Sequence, residues 1–98
     1  MRVTISTSVL QILKPNPKRK RWWLQVASEQ AEAGNTGSIY IGRGYPPSTV
    51  NHDAKIGSGD TEHDNIDNIL PECSYKDAVF AFADTADQVG YLYEEIVE

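Results

Sequence analysis

Asp60, Glu62 and Asp64 stand at alternate positions, with His63 between them and Asp67 beyond. Hard cations such as Ca²⁺ take six to eight oxygen ligands, and alternate carboxylates on a loop can converge on one. The EF-hand order is not met. Counted from Asp60, the sixth position is Asn65 rather than Gly and the twelfth is Pro71 rather than Glu. Asp60, Glu62 and Asp64 are therefore metal candidates only by residue type, beside the plainer reading of a solvated acidic loop. His52 and His63 each precede an aspartate. A His–carboxylate contact can orient an imidazole for general base work, but adjacent residues on an extended chain point to opposite sides. No GxSxG or Cys–His nucleophile pattern occurs. The Gly42-Arg43-Gly44 and Gly57-Ser58-Gly59 stretches lack the frame of a phosphate loop and read as turns. No catalytic residue and no cofactor are expected.

The densest local signal is Lys18-Arg19-Lys20-Arg21-Trp22-Trp23. Four cations followed by two indoles could hold nucleic acid through phosphate contacts and base stacking. They could also anchor a protein partner, since Arg and Trp are enriched in interface hot spots. A third possibility is structural, with one Trp in the core and the cations guarding a strand end. Side-chain alternation on a strand lets only about half of the set share one surface. The partner-binding candidates are Arg19, Arg21 and Trp23, with Tyr45 as a further aromatic.

These residues must be positioned by short strands. Val3 and Ile5 alternate with Thr4 and Ser6, which suits a half-buried strand. Val9, Leu10, Ile12 and Leu13 fit a strand or one helical turn. Pro15 and Pro17 then break regular structure. Trp22, Leu24 and Val26 share one face of the next strand, opposite Trp23, Gln25 and Ala27. Ile39 and Ile41 oppose Tyr40 in another, ended by Gly44–Ser48. Residues 51–67, the least apolar stretch, read as a long acidic surface loop or as two edge strands. Residues 78–97 admit two readings. As strands, Val79, Ala81 and Ala83 oppose Phe80 and Phe82, and Val89, Tyr91 and Tyr93 share a face. As a helix, Val79, Phe82, Ala86, Val89, Tyr93 and Ile96 fall at spacings of three and four, with Thr85 and Gln88 as a capping box. Gly90 and the β-branched and aromatic content favour strands.

The chain's 98 residues suit one domain, 1–98, and exclude barrels of the (β/α)₈ kind, which need ~200 or more residues. Charge is unevenly spread. Residues 1–28 carry +6 with no acid, and residues 29–98 carry −11. This favours an interaction role, including head-to-tail contact between copies, unless folding interleaves the two segments. Cys73 is the only cysteine, so neither an intrachain disulfide nor a Cys-based zinc site can form. No apolar run reaches the ~18–20 residues of a membrane span, no secretory cleavage pattern is evident, and synthesis in the cytosol is expected. Short strands separated by turn signals predict an all-β fold, a small β-sandwich or jelly-roll-like barrel of about seven or eight strands.

In order along the chain, Asn16-Pro17-Lys18-Arg19 with Gln25, Ile39-Tyr40-Ile41-Gly42, Pro71 with Tyr75, and Ala78-Val79-Phe80-Ala81 form a series of landmarks. The series resembles the small β-sandwich domains of tailed-phage and related viral virion proteins: head decoration or cement proteins, head-fibre bases and small jelly-roll capsid domains. Trp22-Trp23 replaces plain aliphatics of that pattern, and residues 51–67 are longer and more acidic. The resemblance implies strands at 78–97 and a non-enzymatic role in the virion. It also implies self-association, often as trimers, and docking on a major capsid or other virion protein after synthesis in the host cytoplasm. Two other functions stand beside it. One is a host-recognition module that binds glycan on Tyr40, Tyr45 or Trp23. The other is a small nucleic-acid-binding barrel using Lys18–Trp23.

Overall fold

Period-two patterning dominates the molecule. The structure, a computed structural model, describes residues 1–63 and 77–96. Among these are β1 (Arg2–Ile5), β2 (Leu10–Leu13), β3 (Arg19–Val26), β4 (Ile39–Arg43), β5 (Ala54–Ile56), β6 (Thr61–His63), β7 (Val79–Ala83) and β8 (Gln88–Ile96), and no helix. Every strand pairing is antiparallel. The chain pairs as one long hairpin: β1 with β8, β2 with β7, β3 with β6, and β4 with β5. That hairpin is rolled so that β8 also takes β3 and β7 also takes β4. The result is two sheets, ordered β1-β8-β3-β6 (sheet A) and β2-β7-β4-β5 (sheet B). It is the jelly-roll form of the β-sandwich.

The core lies between the sheets. Trp22, Leu24 and Val26 enter it from β3, Ile39 and Ile41 from β4, and Leu92 from β8. Alternation explains each set, since residues two apart on a strand share a face. The strand reading of 78–97 holds for β7 and β8. Gly90, awkward for a helix, sits beneath β3. A Cβ there would lie 3.0 Å from Leu24 Cδ1 and 3.3 Å from the Gln25 carbonyl, so glycine lets the two strands close together. Gln88 caps no helix. Its amide donates to the Gly34 and Ala86 carbonyls and accepts from Gly37 N–H. Buried Asn35 donates to the Ala27 and Val89 carbonyls and accepts from Val89 N–H. Together they tie the 27–38 connection to the start of β8.

Over 51–63 the chain forms edge strands rather than a continuous loop. β5 closes one side of sheet B and β6 the same side of sheet A. Residues 64–67 lie outside the described residues, as do the landmarks Pro71 and Tyr75. Among the described residues, folding interleaves part of the two charged segments. Basic β3 lies beside acidic β8, with Arg19–Glu94 at 2.7 Å, Arg21–Glu95 at 2.6 Å and Lys20–Glu95 at 3.5 Å, while Arg2 reaches Glu32 at 3.4 Å. Four of the six N-terminal cations thus have carboxylate partners inside the same molecule.

In β7 it is Val79, Ala81 and Ala83 that face the core, and the larger Phe80 and Phe82 lie half-buried on the outer side. Trp22→Ala is expected to cost ~3–5 kcal/mol because it opens an enclosed cavity. Phe80→Ala, which opens none, is expected to cost only ~1–2 kcal/mol from lost burial. Urea unfolding of the two variants measures the difference.

Candidate docking face

The outer face of sheet A is built from alternate residues of its two central strands. Register places Arg21 opposite Glu95, Trp23 opposite Tyr93 and Gln25 opposite Tyr91. The Trp23 and Tyr93 rings stack with centroids 5.1 Å apart and 17° between planes. The Arg21 guanidinium lies 5.5 Å from the Trp23 ring centre and donates from Nε to Glu95 Oε2 at 2.6 Å. Tyr93 remains 40% exposed and Tyr91 is exposed beside it. The face therefore carries a strip of aromatic surface whose rings are held by each other, with an ion pair at one end.

The opposite outer face, on sheet B, is covered by the chain itself. The loop 44–53 folds back across β4, and a Cβ on Gly42 would fall 2.3 Å from the Tyr45 carbonyl oxygen. Only glycine permits that approach. Pro47 is buried there. His52 packs edge-on to Tyr40 at 4.9 Å, and Tyr40 stacks on Phe82 at 5.0 Å. Tyr40 points outward from its sheet yet is only 6% exposed, so it offers no platform.

The four partner-binding candidates do not form one patch. Arg21 and Trp23 share the sheet A face. Arg19 does not join them: it is 0% exposed. A register shift between Arg19 and Arg21 breaks the alternation that would have turned it outward. Its guanidinium donates to Glu94 Oε2 at 2.7 Å, to the Asp77 carbonyl at 3.0 Å and to the Lys14 carbonyl. Tyr45 belongs to the covering loop of the other sheet. Its hydroxyl pKa is raised, first by lost hydration and then by the Asp53 carboxylate beside it, with Arg43 opposing. Tyr91, Tyr93 and Glu95 complete the face but were not singled out from sequence. The strand reading put the two tyrosines on one side of β8 without showing which side meets solvent.

The metal candidates have other work. Asp60 Oδ2 accepts from Gly57 N–H at 2.9 Å, closing a turn. Glu62 meets Arg43 at 3.4 Å, and that guanidinium sits 5.5 Å from the Trp22 ring centre. Asp64 lies outside the described residues. Among the described residues no three His, Cys, Asp or Glu side chains gather as a metal site. An open concavity of about 500 Å³, lined by Ser28, Glu29, Gln30 and Ser58, holds one carboxylate and no second titratable group. Comparison with protein-family models, curated proteins and solved structures finds no match to this chain.

Arg19→Ala is expected to destabilise the fold by ~2–3 kcal/mol, because it removes a buried guanidinium and its charge-assisted hydrogen bonds to part-buried acceptors. Arg19→Lys is expected to rescue only part of this, since an ammonium cannot reproduce the planar fork; thermal or chemical melts give the values. Glu95 has its pKa lowered, chiefly by the hydrogen bond from Arg21, with partial burial opposing and the charges of Arg21 and Lys20 adding. A lowered folded-state pKa means stability that is present above the unfolded carboxyl range, ~4.3, and lost as pH falls through the folded value. The stability gap between the parent protein and Glu95→Gln is therefore expected to be full at neutral pH and to close below that range.

Proposed function

We propose that this chain is a non-catalytic adhesion module: a structural protein that docks on an ordered protein shell through the outer face of sheet A. The observation that carries the proposal is the pre-stacked Arg21–Trp23–Tyr93 cluster with Tyr91 beside it. Trp, Tyr and Arg dominate interface hot spots, and side chains already held in place lose little entropy on binding. The partner it fits is a flat protein surface of low charge, because Glu95 pairs with both Arg21 and Lys20 and leaves the group with a net charge of only about +1. The sequence landmarks resembling virion proteins indicate which shell: a capsid, with this chain as its decoration or cement protein. The jelly roll agrees with that assignment at the level of fold analogy, since capsid domains use it, as lectins also do.

Two features weigh against the alternatives. A sugar platform needs an open indole face, and Trp23 already carries a tyrosine ring and a guanidinium. A nucleic-acid groove needs its cations together, and the Lys18–Arg21 run is divided between an interior guanidinium and a rim paired with Glu95.

Co-sedimentation with assembled capsids tests the proposal. The parent protein is expected to pellet with particles, and Arg21→Ala combined with Trp23→Ala to bind about tenfold or more weaker with an unchanged circular dichroism spectrum. Undiminished binding by the double variant would remove the face from the interaction. Retention on DNA or RNA that falls steeply with salt would favour the nucleic-acid function instead.

A further inference from the structure

The two sides of the sandwich, where sheet edges are open, are unlike. On one side β5 carries exposed Lys55 and is entered through Asp53, and β6 carries Glu62 and follows Asp60. Charged edges resist pairing with another strand. On the other side run β1 and β2. Between Arg2 and Lys14 the sequence has no ionisable side chain. At the start of β2, Val9 is 46% and Leu10 41% exposed.

The direction of the β2 backbone groups follows from its neighbours. In β7, Asp84 N–H donates to the Ser38 carbonyl and the Ala78 carbonyl accepts from Gly44 N–H, both toward β4, whereas Ala83 N–H donates the other way to Ser6. Alternation then turns Ala81 toward β2. Leu10, opposite Ala81 in the register, points its backbone groups at β7. Those of Val9 and Gln11 point outward, and among the described residues nothing meets them.

We propose that β2 pairs with β2 of a second copy of this chain, antiparallel about a two-fold axis at Leu10. In that register Val9 faces Gln11 of the other copy and Gln11 faces its Val9, and each such pair exchanges backbone hydrogen bonds. Leu10 meets Leu10 at the axis as a non-hydrogen-bonded pair, the kind whose side chains approach closest. The exposed leucine surface is thereby covered on both copies. A two-fold axis sets each side chain near its own kind, so any charge at the centre would repel itself. The uncharged stretch avoids this, and the register places Lys14 opposite Ser6, away from its counterpart. The register shift between Gln11 and Leu13 limits the ladder, so the contact is a concentration-dependent dimer rather than a permanent one. It differs from the three-fold association implied by the virion resemblance, and it is independent of the sheet A face.

Gln11→Pro tests it. Gln11 N–H points away from β7 and meets no acceptor among the described residues, so proline there removes the proposed intermolecular donor, as edge strands allow. In sedimentation equilibrium from ~10 μM to ~1 mM, the parent protein is expected to move from monomer to dimer mass. Its Gln11 amide is expected to exchange more slowly as concentration rises. Gln11→Pro and Leu10→Lys are both expected to stay monomeric, with Gln11→Pro melting as the parent does. Arg21→Ala with Trp23→Ala is expected to dimerise normally, which separates this contact from capsid docking. A parent protein that stays monomeric throughout, a trimer mass, a dimer that survives Gln11→Pro, or a dimer lost in the Arg21 and Trp23 variant would each overturn the proposal.

Discussion

The antiparallel pairing of β3 with β8 is the constraint on which the other features depend. It joins the most basic strand of the chain to the most acidic one, in the middle of sheet A. In a jelly roll these strands are far apart in sequence, so their alignment fixes the chain globally. Arg19 marks one end of the ladder. A buried ion pair is weak evidence for net stability, because desolvation offsets much of the attraction. Its stronger effect is on register. With Arg19 bonded to Glu94, Asp77 and Lys14 at once, a slip of one residue would leave a guanidinium without acceptors inside the sandwich. Asn35 and Gln88 act similarly at the other end, where their amides satisfy backbone groups of the connecting loop.

Charge matching within the molecule has a consequence for recognition. Surface ion pairs contribute little stability, but they leave Lys20 and Arg21 with less attraction for an acidic partner or a phosphate chain. Specificity on sheet A must then come mainly from shape and aromatic contact. Sheet B reaches the opposite outcome by covering itself. The missing Cβ of Gly42 admits the 44–53 loop, and Tyr40, Phe82 and His52 spend their ring surfaces on one another. One outer face is thereby closed, and the other is left open among the described residues.

Much of the fold was legible because period-two patterning is local. Trp22, Leu24 and Val26 could be placed together from sequence, as could Ile39 with Ile41, and the all-β class followed. Inside and outside were not always legible. In β7 alternation set Phe80 and Phe82 apart from Val79, Ala81 and Ala83 without showing which set faces inward; the alanines do, and Phe82 is sheltered on the outer side by Tyr40. For Arg19 alternation gave the wrong side, because a bulge leaves no sequence mark in a run of four cations. Tyr91 and Tyr93 were visible as a pair, but their role needed Trp23, which lies some seventy positions away and meets them only through the ladder. The +6 and −11 segments suggested contact between molecules for the same reason. Sequence shows how charge is ordered along the chain, and pairing decides whether it stays separated.

The sandwich therefore presents surfaces of different physical kinds. Faces recognise through side chains, and their specificity lies in ring placement and shape. Edges recognise through backbone groups, which every protein has, so an edge is selective only through what flanks it. Exposed Lys55 guards one side of this molecule by charge, and Glu62 adds an inward-pointing charge held by Arg43. On the other side the uncharged run from Val3 to Leu13 leaves discrimination to geometry: a short ladder, a bulge that ends it, and an aliphatic side chain at its centre. A contact of that kind is weak for freely diffusing molecules. It gains when copies are held close together, because a raised effective concentration multiplies a marginal affinity without any new contact. The docking proposed for the face and the pairing proposed for the edge would be complementary within one small fold: docking would supply the proximity that a short ladder cannot supply for itself.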